Sequence, residues 1–245
     1  MKKNVIILTH GWTGSSAFTA LISQGQYWLG DETFQKIDYN TYENSELVAL
    51  NNKMIADAGY TGDREHEILT EQAVLDVTQK IAMLDPSPYK AFAEKLSENQ
   101  PWIWKDPRLA LTIRAWMRFV DIDSVEFIIL TRDDMQSWIT SNQRRHIQSL
   151  SFTRRYNKSV TDSFKRFLTE RGKSYSEFEF EDLQLRPEQT IERLNQQLGL
   201  KLTMEDLHRV YNKPLYKKSK RFKDWFEALA VYVKNYALRD GRGRA

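Results

Sequence analysis

Cysteine is absent from the 245 residues, which excludes disulfides, thiolate metal sites and cysteine nucleophiles. Long apolar runs are missing as well, and nothing approaches the roughly 20 residues a membrane-spanning helix needs. The basic start Met1-Lys2-Lys3-Asn4 precedes only four apolar residues, Val5-Ile6-Ile7-Leu8, which is too short for an export signal and reads as a buried strand. A cytoplasmic protein without a membrane span is expected. Large charge excess is lacking too: 36 Lys and Arg against 33 Asp and Glu leave a net charge of +3, which speaks against a dedicated nucleic-acid binder. With no internal repeat, low-complexity tract or linker, the expectation is one domain over residues 1–245 with a frayed tail at 239–245. Chemistry must come from oxygen, nitrogen and backbone groups.

What is present is organised around one stretch. The run Val5 to Leu8 leads through Thr9 and His10 into Gly11-Trp12-Thr13-Gly14-Ser15-Ser16, and an apolar, helix-compatible run Ala17 to Ile22 follows. Unpaired backbone N–H groups at such a helix start, with the positive end of the helix dipole, suit an anion, and Gly11 and Gly14 allow close backbone approach. Further along, Pro101 to Arg108, Val125 to Arg132 and Ser174 to Glu179 read as strands, the first two leading into helices from Leu109 and from Asp133-Asp134. Helical spacing marks Glu46–Ala58, Ile68–Leu84, Tyr89–Ser97, Ser151–Arg171, Pro187–Leu198, Thr203–Tyr211 and Trp225–Leu238; Gln24–Lys36 and the lysine-rich Asn212–Lys223 read as loops. Alternating strands and helices predict a three-layer α/β/α fold with a central parallel sheet, whose polar strand ends converge on one crevice.

Known loop chemistries narrow the choice. His10-Gly11-Trp12 resembles the oxyanion loop of α/β-hydrolases, but no Gly-x-Ser-x-Gly pentapeptide occurs. A nucleoside-triphosphate P-loop requires lysine after the second glycine, and Gly14 is followed by Ser15. Thr13-Gly14-Ser15-Ser16 instead resembles the 5′-phosphosulfate loop of sulfotransferases that use 3′-phosphoadenosine 5′-phosphosulfate. Trp12 stands where that family has a basic residue, so a cation from elsewhere must compensate.

Three more segments resemble the family in the same order: Trp104-Lys105-Asp106-Pro107-Arg108, Ile128 to Asp133, and Phe178 to Leu183 with Pro187 and Leu198-Gly199-Leu200. The resemblance covers about residues 5 to 200. It implies a P-loop-like sulfotransferase fold, a phosphosulfate co-substrate, no metal, and transfer of a sulfuryl group to an acceptor hydroxyl on a saccharide, lipid or small metabolite. By the same resemblance Gly11, Trp12, Thr13, Gly14, Ser15 and Ser16 hold the 5′-phosphosulfate, and Arg132 with Thr140, Ser141 or Ser137 takes the 3′-phosphate. Lys105 stabilises charge on the sulfuryl or bridging oxygens, and Lys220 and Arg221 close over the nucleotide. Gly30-Asp31-Glu32-Thr33 resembles the base segment of protein-tyrosine sulfotransferases, which gives Glu32 the role of base; Asp31 and His10 compete for it. The alternatives are a nucleotide-binding protein of the same fold without transfer activity, and an α/β-hydrolase.

Overall fold

A computed structural model describes residues 2–37, 39–62, 67–211 and 218–236, with the side chains of 218–221 left aside. Strand β1 (Asn4–Thr9) is followed by helix α1 (Ser15–Ser23), strands β2 (Thr33–Gln35) and β3 (Asn40–Asn44), and helices α2 (Ser45–Asp57), α3 (Glu71–Ile81) and α4 (Ser87–Glu98). Next come β4 (Ile103–Lys105), α5 (Leu109–Trp116), β5 (Val125–Thr131), α6 (Asp134–Gln143), α7 (Leu150–Glu170) and β6 (Tyr175–Glu179). Helices α8 (Asp182–Leu185), α9 (Pro187–Leu198), α10 (Met204–Val210) and α11 (Lys218–Tyr236) complete the order.

Four parallel strands form the sheet in the order β4-β1-β5-β6. Period-two alternation sends Ile6, Leu8, Trp104, Phe127 and Ile129 to one face, where α2, α3, α4, α5 and α7 cover them. It sends Val5, Ile7, Ile103, Ile128 and Leu130 to the other, against α1, α8, α9 and α10. Both faces are therefore buried, as a parallel sheet requires, and the arrangement is three-layered α/β/α. Each fully buried aliphatic or Phe side chain contributes about 1.5–3 kcal/mol of transfer free energy. Trp102, Trp104 and Trp116 belong to this core and Trp138 is buried in a separate cluster on α6, whereas Trp12 is only half-buried.

The chain runs from β1 outward to β4 and then crosses back to β5 on the other side of β1. The crevice of such a sheet opens at that reversal, beyond the carboxyl ends of β1 and β5. The loop after β1 and Arg132 after β5 flank it. Two expectations change. The segment read as a loop over Gln24–Lys36 contains β2, which pairs antiparallel with β3 in a small hairpin. Lys218 to Lys223, expected in a loop, open helix α11 instead, which packs on α6 through Ala228, Trp138 and Ile139. Lys213 and Lys217 lie outside the described residues. No described helix is long and apolar enough to cross a membrane.

Candidate functional site

The loop after β1 is shaped by two backbone conformations that side chains rarely adopt. Trp12 has φ 66 and Gly14 φ 79, both left-handed, and a Cβ on Gly14 would stand 2.6 Å from the Phe180 ring. Glycine is therefore required there both by φ and by space. Inside the turn, the Thr9 and Thr13 hydroxyls lie 2.6 Å apart, and the Thr13 hydroxyl donates to the His10 carbonyl at 3.3 Å. Gly14 caps α1 without any side-chain hydrogen bond, so the helix start keeps its amide donors and dipole directed at whatever sits before it.

A cavity of about 670 Å³ opens in front of this turn, and all six residues Gly11 to Ser16 line it. Among the described residues its charged lining is one-sided: Lys36, Lys105, Arg108, Arg132 and Arg144 against one carboxylate, Glu43. Such a surplus in a concave site concentrates positive potential and favours a polyanion.

Lys105, at the end of β4, is buried at 1% exposure, and its Nζ donates to Glu43 Oε1 at 2.7 Å and to the Ser16 hydroxyl at 3.5 Å. Burial pushes its pKa below the ordinary lysine value, and the Glu43 charge opposes that push. Asp106 does not pair with Lys105. It accepts from Arg108 at 2.9 Å and from Asn51 at 2.8 Å, while Arg108 Nε donates to Asn52 at 2.8 Å. Asn51 in turn accepts from Thr112 and from the Trp116 indole. This satisfied buried network pins the turn that carries Lys105 between α2 and α5.

Arg132 lines the same cavity from β5. Its guanidinium donates to the Trp12 carbonyl at 2.9 Å and to Glu181 Oε1 at 3.3 Å, and lies 5.5 Å from the centre of the Phe180 ring. Glu181 Oε2 also accepts from the Asp133 amide. The salt-bridge partner of Arg132 is thus Glu181, not Asp133 or Asp134. Thr140, on α6, lines the cavity; Ser141 is buried and donates to the Trp138 carbonyl at 3.0 Å, and Ser137 is buried with no hydroxyl partner.

The three acid–base candidates of the sequence lie away from this lining. Glu32 is exposed and does not line the cavity; its carbonyl accepts from the Ser45 amide. Its neighbour Asp31 pairs with Lys95 at 2.7 Å on the surface. His10 is buried behind the turn with Nδ1 2.7 Å from the Gly11 carbonyl; burial, with the Arg132 charge adding to it, lowers its pKa from 6.5 to about 4. A neutral imidazole donating to a backbone carbonyl is a structural arrangement. Lys220 and Arg221 lie in α11, and their side chains are outside the described residues.

Glu43 and Lys36 are among the lining residues that escaped the sequence reading. Glu43 is buried at 7% exposure on β3, facing Lys105. Lys36 comes from the connection between β2 and β3, 5.9 Å from the centre of the Trp12 ring. Two cations thus flank the turn, Lys105 at the Ser16 hydroxyl and Lys36 over the Trp12 ring.

No protein-family profile matches the chain, and no curated protein does. Among solved structures, the chain is similar to a sulfotransferase domain of the Synechococcus PCC 7002 olefin synthase, at 17% identity over 86% of this chain and 78% of that one, with a TM-score of 0.49. A Mycobacterium avium sulfotransferase shares 12% identity over 98% of this chain and 77% of its own, with a TM-score of 0.48. A retinol dehydratase in complex with androsterone and the inactive cofactor PAP shares 13% identity over 85% and 63%, with a TM-score of 0.40.

Proposed function

We propose that this chain is a sulfotransferase that moves a sulfuryl group from 3′-phosphoadenosine 5′-phosphosulfate to an acceptor hydroxyl. The observation that carries this reading is the meeting of an uncapped helix start, a buried lysine and a strand-end arginine on one cavity that also holds one buried carboxylate. The helix start and Lys105 suit the 5′-phosphosulfate, and Arg132 with Thr140 suits the 3′-phosphate. The arginine fork matches a phosphate better than a point charge would.

The step balances without a metal or redox partner. The acceptor oxygen attacks sulfur as its proton passes to a carboxylate; the sulfur–oxygen bond to the 5′-phosphate breaks in line, and adenosine 3′,5′-bisphosphate leaves with its electron pair. We assign the carboxylate role to Glu43 in place of Glu32, because among the described carboxylates Glu43 alone lines the cavity, beside Lys105. As donor phosphates draw Lys105 toward the leaving oxygen, the Glu43 carboxylate gains the freedom to accept a proton. Charge stabilisation on the leaving side and base on the attacking side thus come from one buried pair.

Isothermal calorimetry with adenosine 3′,5′-bisphosphate tests the nucleotide site, and transfer of labelled sulfate tests the enzyme. Binding without transfer to any hydroxyl acceptor would favour the nucleotide-binding alternative.

A further inference from the structure

Helix α11 has two apolar faces and buries one of them. Ala228 is fully buried against Trp138 and Ile139 of α6, with Trp225, Leu229 and Tyr232 packed beside it. Phe222, Phe226 and Val233 lie on a different face. They are 60–73% exposed, and at 3.6 residues per turn they fall within an arc of about 40° over about three turns. Of the eight exposed large apolar side chains among the described residues, four belong to this helix, the fourth being Tyr236. Single exposed apolar residues need no explanation, whereas a stripe of them marks a contact surface.

The charge around the stripe is also uneven. Residues 213–245 hold ten Lys and Arg against three Asp and Glu, a net +7, while the other 212 residues hold 26 against 30, a net −4. Setting aside Lys220 and Arg221, which the sequence resemblance gives to the nucleotide, still leaves +5. Lys223 and Lys234 are exposed on one flank of the stripe; Lys223 lies 3.8 Å from Glu227, a surface pair that water screens.

We infer that α11 lays this stripe on the surface of an anionic lipid bilayer, with Phe222 and Phe226 entering the headgroup boundary and the basic residues meeting lipid phosphates. The contact is peripheral, since no described helix is long and apolar enough to cross a membrane. A few apolar side chains or a modest positive charge alone gives weak, reversible binding, and the two together add. Lysines on the flank reach the headgroups while their stems cover apolar surface. A second copy of this chain fits the stripe less well. Its own α11 would bring the same positive charge, and three side chains on one helix fall short of the roughly 800 Å² per partner that a stable interface buries. The inference does not depend on the sulfotransferase reading.

The test is sedimentation of the full chain with vesicles of phosphatidylcholine alone or with about 30% phosphatidylglycerol. The anionic vesicles should bind at least about tenfold more tightly than the neutral ones, and raising salt from about 0.1 to 0.5 M should remove most of that difference. Phe222→Ser, Phe226→Ser and, separately, Lys223→Glu, Lys234→Glu should each weaken binding to anionic vesicles at least about tenfold. Both double variants should melt close to wild type, because all four side chains are exposed. No binding to either vesicle, equal binding to both, or binding that survives either double variant would overturn the inference. So would a concentration-dependent dimer in analytical ultracentrifugation that Phe222→Ser, Phe226→Ser abolishes, which would give the stripe to a second copy.

Discussion

Replacing Glu43 by glutamine should separate nucleotide binding from transfer. The Lys105 ammonium and the Glu43 carboxylate meet at 2.7 Å with side chains 1% and 9% exposed. Removing one partner of a buried pair leaves the other charge uncompensated, which costs about 3–5 kcal/mol. The cavity beside Lys105 gives it water and the Ser16 hydroxyl to turn to, so the low end of that range applies. At about 2–4 °C per kcal/mol for a chain of this size, Glu43→Gln should melt roughly 6–12 °C below wild type. The double variant Glu43→Leu, Lys105→Met should recover most of that loss, since neither charge remains. Adenosine 3′,5′-bisphosphate should bind Glu43→Gln at least as tightly as wild type, because Lys105 has no competing carboxylate. Sulfate transfer should fall about 10²–10⁴-fold with the loss of the base. Scanning calorimetry, bisphosphate titration and labelled-sulfate transfer read the three effects. Transfer within threefold of wild type would refute the base assignment, and equal melting of the single and double variants would refute the pairing argument.

Three further outcomes follow from the same geometry. The folded pKa of His10 lies at about 4, below its ordinary 6.5, so its stabilising contribution is present above pH 6.5 and is lost as pH falls through about 4. A depression of that size corresponds to roughly 3 kcal/mol, and urea melts of His10→Gln should lack that part of the acid dependence. Gly14→Ala should lower stability by more than about 1 kcal/mol, from its φ of 79 and the Phe180 contact at 2.6 Å, and should weaken bisphosphate binding; a silent substitution would mean that the loop rearranges freely. Arg132→Ala should weaken adenosine 3′,5′-bisphosphate by about 10–100-fold, from charge-assisted hydrogen bonds of about 1.5–3 kcal/mol. Its effect on adenosine 5′-phosphate should be much smaller, and equal losses in calorimetry would show that Arg132 does not read the 3′-phosphate.

The sheet was legible in the sequence because buried parallel strands are near-continuous apolar runs, as in Val5 to Leu8 and Phe127 to Leu130, and because their ends carry polar residues. The hairpin was not. Thr33-Phe34-Gln35 and Asn40 to Asn44 have a single large aliphatic or Phe residue between them, and they are held by polar contacts such as the Thr41 hydroxyl on the Phe34 carbonyl at 2.6 Å and Asn40 on Thr33 at 2.8 Å. Such contacts leave no hydrophobic period to read. Glu43 was missed for the same reason: its partner Lys105 lies 62 residues away, and only the fold joins them. The one local hint was alternation, which puts Thr41 and Glu43 on a shared buried face. The start of α11 was misjudged because Lys218 to Lys223 looks like a solvated charge run, although Phe222 and Trp225 already continue the helix.

The central claim is that the turn after β1, Lys105 and Arg132 form one site for a nucleotide carrying a 3′-phosphate and a 5′-phosphosulfate. Calorimetric titration with adenosine 3′,5′-bisphosphate, run beside adenosine 5′-phosphate, tests it most directly. The account predicts saturable one-to-one binding of the bisphosphate at least tenfold tighter than the monophosphate; no heat at millimolar bisphosphate, or equal affinity for the two, would contradict it.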